Sequence, residues 1–200
     1  MPDFLEEDLF LSRGAIRVAG VDEAGRGPLA GPVTAAAVVL DRACVPEGLD
    51  DSKKLGPSVR QRLYEAIMAT AAVSVAHASV QEIDRLNILY ASHLAMQRAI
   101  AGLARRPCHA LIDGNMIPTS LACPATALVK GDARSLSVAA ASIIAKVTRD
   151  RIMVDLAQHH PGYGWEKNAG YPTKRHRAAL EALGVTPHHR SSFKTVYNML

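Results

Sequence analysis

Three short apolar runs in this 200-residue chain lead into acids: Ile16–Val21 stops at Asp22, Ala110–Asp113 ends on its own aspartate, and Ala125–Val129 is followed by Lys130-Gly131-Asp132. Short aliphatic runs bounded by glycine read as buried strands. An unpaired carboxylate cannot carry such a strand on into a core, because taking its charge out of water is costly. The acids therefore belong at strand ends, and a sheet that gathers its strand ends on one side is where binding groups collect.

The remaining pattern makes this an α/β chain. Val33–Leu40 reads as a strand in a hairpin-like unit with Ile16–Val21, and Ala72–Val80 as a further strand. Pro57–Thr70 reads as a helix with Val59, Leu63, Ala66 and Ile67 on one face and its proline in the first turn. Ser79–Leu103 contains a longer helix, with Ile83, Leu86, Leu89, Tyr90, Leu94 and Ile100 as expected core contacts. A third helix is expected from Ser135 to about His159, where Ala139, Ala140, Ala141 and Ser142 let it lie close against the sheet. Pro161–Pro172 reads as a loop, and Thr173–Leu183 and Ser191–Leu200 as terminal helices interrupted by Gly184 and Pro187. The order predicts a mixed five-stranded sheet flanked by helices, in one domain over residues 1–200 whose last part, from about 160, is a basic helical extension.

Composition agrees with one domain and narrows its partners. The chain is 48% hydrophobic but only 4% aromatic, so the core is built from Ala, Val, Leu and Ile, and platforms for stacking single-stranded bases are not expected. Net charge is +4, unevenly spread: residues 130–200 carry eleven Lys/Arg against five Asp/Glu, and residues 1–129 twelve against fourteen. If the acids at the strand ends share one site, the remaining surface is more positive than the total, which suits a polyanion. Cys44, Cys108 and Cys123 show no metal or disulfide spacing and fit a reducing compartment. The acidic start, Met1–Leu11, is no signal peptide, and no apolar run has membrane-spanning length, so a cytoplasmic monomer without membrane contact is expected.

Chemistry concentrates in Gly20-Val21-Asp22-Glu23-Ala24-Gly25-Arg26-Gly27-Pro28. Adjacent carboxylates repel one another and invite a hard cation. Glycines let backbone approach a ligand, and an arginine among them can fork onto a phosphate. On a regular strand Asp22 and Glu23 face opposite ways, so both reach one cation only at a strand end or bulge. Each acid also has an ordinary reading: Asp22-Glu23 as a solvated hairpin turn, Asp113 before Gly114 as a turn aspartate, and Asp132 as a cap for the helix near Ser135. Together they point to Mn2+ or Mg2+, two ions about 3.5–4 Å apart being able to align in-line attack at phosphorus.

The blocks Val21-Asp22-Glu23-Ala24-Gly25-Arg26-Gly27, Asp51-Ser52-Lys53-Lys54-Leu55, Ile112-Asp113-Gly114, Lys130-Gly131-Asp132, Ala139 through Asp150 and Gly170-Tyr171-Pro172-Thr173 resemble ribonuclease HII over essentially the whole chain. The resemblance implies a ribonuclease H-like fold and metal-dependent cleavage of RNA in RNA–DNA hybrids, including 5′ to a single ribonucleotide in duplex DNA, leaving 3′-hydroxyl and 5′-phosphate ends. It implies that Asp22, Glu23, Asp113 and Asp132 bind the metal. It also implies that Gly25, Arg26 and Gly27 sense the ribose 2′-hydroxyl and adjoining phosphate, and that Tyr171 lies at the junction between ribonucleotide and deoxyribonucleotide. The chemistry agrees, since the 2′-hydroxyl is the group that tells RNA from DNA.

Other residues have weaker claims. Ser52, Lys53 and Lys54 suit contacts to a nucleic-acid backbone, or else a solvated helix-entry loop. Asp50 and Asp51 fall outside the metal site because they precede a helix in that loop, and Asp150 reads as an ion-pair residue. His159-His160 and His188-His189 lack zinc-partner spacing and read as solvated surface histidines. Arg190, Ser191 and Lys194 would extend a basic surface along a duplex. A sugar-kinase or actin-like ATPase shares the aspartate-glycine start but needs a second glycine-rich adenosine loop, which is absent here, and a non-catalytic hybrid binder is the third reading.

Overall fold

The structure, a computed structural model, describes residues 1–200. Its sheet has five strands: β1 (Val18–Ala24), β2 (Val33–Val39), β3 (Ala72–Ala78), β4 (His109–Asp113) and β5 (Ala125–Leu128). Their spatial order is β3-β2-β1-β4-β5. β1–β2 and β2–β3 pair antiparallel, whereas β1–β4 and β4–β5 pair parallel. The expected mixed sheet is present, and its parallel half sends three strands out at the same edge.

Seven helices accompany it: α1 (Leu5–Leu11), α2 (Pro57–Thr70), α3 (Val80–Ala101), α4 (Leu136–His159), α5 (Trp165–Asn168), α6 (Lys174–Leu183) and α7 (Lys194–Tyr197). α2 occupies the residues expected from its sequence. α3 begins at a capping box, in which the Ser79 hydroxyl accepts from Glu82 N–H while the Glu82 carboxylate accepts from Ser79 N–H. At Asn87 it kinks, with φ of 64°, and the Asn87 side chain accepts from the backbone N–H groups of Leu89 and Tyr90 to restart the helix. That break turns Tyr90 outward to 58% exposure, against the expectation of a core contact.

Two apolar layers sandwich the sheet. On one face α3 packs Ile83, Ala91, Ala95 and Ile100 against Ala19, Val21, Ala35 and Ile112. On the other, Leu63 and Ile67 of α2 and the Ala139–Ala141 stretch of α4 meet Ala36 and Val38. Gly20 marks the closest approach, since a Cβ there would stand 2.0 Å from the Ser137 carbonyl carbon. A third cluster joins Leu29 and Ala30 to Met153, Tyr163, Trp165, Leu180 and Val196. The C-terminal segment is thereby packed onto α4 and onto the loop between β1 and β2. No helix is long and apolar enough to cross a membrane.

Two expectations fail in detail, and one helix was not foreseen. Residues 5–11 form α1, whose acidic composition hid it; Glu7 is its buried residue and accepts from Ser135 Oγ–H and Ser137 N–H at the start of α4. The loop over 161–172 contains α5, and the last helix is confined to four residues. Both short helices owe their form to tertiary burial of Trp165 and Val196.

Candidate active site

The last β1–β4 register pair is Val21 with Ile112, so the next step along both strands sets Asp22 beside Asp113. β4 in turn pairs Asp113 with Leu128 at the end of β5. The chain then turns through Lys130, which is left-handed at φ 57°, into a short 3-10 turn at Gly131–Ala133 carrying Asp132. That turn is held from both sides. Gly131 N–H donates to Asp113 Oδ1 at 2.7 Å, and the Ser135 side chain, not Asp132, caps α4 by accepting from Val138 N–H.

Asp22, Asp113 and Asp132 consequently offer carboxylate oxygens that all lie within 4.8 Å of one another. Asp22 and Asp132 are buried and Asp113 half-buried. Burial, then the charges of Glu23 and Asp113, push the Asp22 pKa well above its ordinary value, although Glu23 N–H donates to its Oδ1 at 2.7 Å. Burial and the neighbouring Asp113 and Asp51 raise Asp132 likewise. Three crowded carboxylates, two of them buried and raised in pKa, are the donor set a hard divalent cation relieves.

Glu23 lines the same cavity but stands apart from this trio. Its carboxylate accepts from Arg26 Nη1 at 3.2 Å, as strand alternation would have it. Burial raises its pKa against the pull of Arg26.

The cavity holds about 450 Å³ and is lined by Asp22 through Gly27, Ser52, Lys53, Arg60, Asp113, Ser142, Lys146, Arg149 and Tyr171. Gly25 has φ of +95°, and a Cβ there would fall 1.9 Å from Arg149 Nε; a Cβ on Gly27 would touch the Tyr171 ring at 3.4 Å. Tyr171 is 43% exposed at the rim. Ser52 is buried and accepts from Ser142 Oγ–H at 2.7 Å. Burial disfavours the Lys53 ammonium, yet the charges of Asp22, Asp51, Asp132 and Asp113 raise its pKa. Lys54 pairs with Asp50 at 3.0 Å and does not line the cavity.

Several residues escaped the sequence reading. Ser142, Lys146 and Arg149 recur at helical spacing on α4, a signal that they share one face. Asp51, set aside for its loop position, lies close enough to Asp132 to perturb it. Asp150 is an ion-pair residue, with Lys146 at 2.7 Å as its partner.

The C-terminal residues need correction. Arg190 lies not on a basic surface but at 0% exposure, and Ser191 is tied to Asp84. His189 is buried rather than solvated, and its hydrogen bonds assign its protons. Its Nδ1 accepts from Thr186 N–H, so its Nε2–H donates to His176 Nε2, which also accepts from Trp165 Nε1–H; His176 Nδ1–H then donates to the Tyr171 carbonyl. Both imidazoles are neutral. Burial first, then His176, lowers the His189 pKa to about 4.

The ribonuclease HII family model matches residues 19–196. The chain belongs to the ribonuclease HII family. It is 66% identical to the ribonuclease HII of Ruegeria pomeroyi, over 100% of this chain and 85% of that protein. The ribonuclease HII of Paracoccus denitrificans is also 66% identical, over 100% of this chain and 95% of its own length. Among solved structures, ribonuclease H2 from Pyrococcus horikoshii superposes with a TM-score of 0.79 at 30% identity, covering 92% of this chain and 97% of that one. The ribonuclease HII seen in complex with PCNA from Archaeoglobus fulgidus gives 0.76 at 29%, over 90% and 96%. Bst-RNase HIII, solved with Mn2+, shares the fold at 0.72 and 22% identity, over 93% of this chain and 70% of its own. With ribonuclease HII membership come a ribonuclease H-like fold and the activity of a metal-dependent ribonuclease H endonuclease.

Proposed function

We propose that Asp22, Asp113 and Asp132, with Glu23 beside them, hold the divalent metal, Mn2+ or Mg2+ and two ions during catalysis. Gly25, Arg26, Gly27 and Tyr171 then read the ribose at the bond to be cut. The substrate is the RNA strand of an RNA–DNA hybrid, or a lone ribonucleotide in duplex DNA cut on its 5′ side, giving 3′-hydroxyl and 5′-phosphate ends. The observation that carries this reading is the convergence within 4.8 Å of three carboxylates, one from β1, one from the end of β4 and one from the turn after β5.

When bound, the metal supplies an activated water and neutralises charge on the leaving oxygen. The protein's own groups do the rest. Lys53 balances part of the carboxylate charge, as its raised pKa records. Arg26 stands half-exposed at the rim, able to turn from Glu23 to a phosphate. Tyr171 sets its ring against a sugar. Ser52 and Lys53 face the cavity and suit the phosphate backbone, with Lys54 outside it. This work fits a monomer in the cytoplasm.

The test uses a duplex carrying one ribonucleotide, with and without chelator, and end-group analysis of the product. Cleavage that stops with chelator and leaves 3′-hydroxyl ends is expected. Chelator-resistant cleavage or cyclic phosphate ends would reject the scheme, because they signal attack by the 2′-hydroxyl.

A further inference from the structure

Two arginines lie beneath the Gly25–Gly27 turn with no carboxylate among their hydrogen-bond partners. Arg190 donates from Nε to Gly31 O at 3.0 Å, from Nη1 to Arg26 O at 3.0 Å, and from Nη2 to Gly25 O at 2.6 Å and Pro32 O at 3.2 Å. Arg149 donates from Nε to Pro32 O at 2.9 Å, from Nη1 to Ala169 O at 2.9 Å and from Nη2 to Ala30 O at 3.0 Å. Both are at most 1% exposed. Burying a cation without an anion is costly, and burying two side by side more so. Burial and the neighbouring Arg149 accordingly depress the Arg190 pKa to about 9.

What these charges obtain in return is backbone geometry. A trans peptide points its N–H opposite to its carbonyl. With the Gly25 and Arg26 carbonyls drawn down onto Arg190, the N–H groups of Arg26 and Gly27 point away from it, on the stretch that lines the cavity. Neither N–H has an acceptor within the chain. Arg149 ties the same frame to the Tyr171 loop through Ala169, and Leu29 N–H adds a second tie to Gly170 O at 2.8 Å. Only a planar fork of five donors spans such a set of carbonyls; an ammonium is a single point.

We propose that Arg190, with Arg149 beside it, is a positioning residue that sets the peptide planes of the Gly25–Gly27 turn and so presents its N–H groups to the ribose and phosphate. The inference rests on the reading of that turn as the ribose detector.

The experiment measures single-turnover cleavage of a duplex bearing one ribonucleotide, together with thermal unfolding, for Arg190→Lys, Arg190→Ala, Gly25→Ala and the double variant Gly25→Ala/Arg190→Lys. Arg190→Lys should remain folded and cleave about 10- to 100-fold more slowly, as expected when a reacting group is displaced by about 1 Å. The metal concentration for half-maximal rate should be unchanged, because the carboxylates are untouched. Methylguanidinium should restore part of the rate of Arg190→Ala. In the double variant the two losses should not multiply, since both act through one turn. A folded Arg190→Lys with the normal rate overturns the proposal, and so does one that fails to fold, which would make the residue a support of the whole fold. If Gly25→Ala, and Arg26→Ala assayed alongside it, both cleave normally, the detector reading itself fails, whatever Arg190 does.

Discussion

Acid should loosen this protein through one histidine. His189 is 3% exposed, and its Nδ1 faces the Thr186 N–H, so a proton added there meets a donor where it needs an acceptor. Its folded pKa is about 4 against an ordinary 6.5. The folded value is depressed, so the unfolded chain binds the proton first, and stability falls as pH drops from about 6.5 towards 4. Linkage with these two values gives a loss of about 2 kcal/mol between pH 7 and pH 5. In urea that moves the midpoint by roughly 1 M for a slope of about 2 kcal/mol/M. Other groups also titrate in this range, so the measurement compares urea unfolding of the wild type and His189→Gln at both pH values. The wild type should lose about 2 kcal/mol more than the variant over that interval. Equal losses would refute the argument and mean that His189 titrates alike in both states.

Asp22→Asn should cut cleavage about a hundredfold or more, because on the proposed reading it removes a ligand to the group that stabilises transition-state charge. The same change relieves repulsion within the buried trio, so without metal its melting point should rise by a few degrees, about 3 °C per kcal/mol at this size, and the stabilisation of the wild type by Mn2+ should disappear. Thermal scans with and without Mn2+ check both halves. Gly20→Ala places a methyl 2.0 Å from the α4 backbone and should cost about 1–3 kcal/mol or more, read from urea unfolding. Because α4 is displaced, the turn bearing Asp132 shifts with it, and the half-saturating metal concentration should rise. Tyr171→Phe keeps the ring and loses one polar contact, so cleavage of a single-ribonucleotide duplex should slow only about fivefold, the equivalent of about 1 kcal/mol.

What was legible in the sequence was whatever repeats with a short period or breaks sharply. All five strands and the three long helices appear where apolar runs meet glycine, proline or a capping serine, and the acids following three apolar runs pointed to one edge of the sheet, although β1 does not stop at Asp22 but runs on to Ala24 because β2 goes on pairing with it. The misses have a shared cause. Arg190, His176 and His189 are polar residues satisfied by partners far away in sequence, which no local pattern records. α1 was hidden for the opposite reason, since Leu5 and Leu9 stay exposed and only Glu7 is buried. The separation of Glu23 from the trio was foreshadowed by strand alternation, but whether alternation or the strand end governs depends on where pairing with β4 stops, and that register is tertiary.

The seat of the Gly25–Gly27 turn, Arg190, follows the carbonyls it holds by 164 and 165 residues of chain. Synthesis runs from the amino end, so the turn leaves the ribosome well before its anchor. Until that anchor arrives, the Gly25 and Arg26 carbonyls lack their guanidinium partner. A chain interrupted anywhere between Asp132 and Arg190 would then carry every carboxylate of the site and still leave the Gly25–Gly27 turn without the guanidinium that holds it.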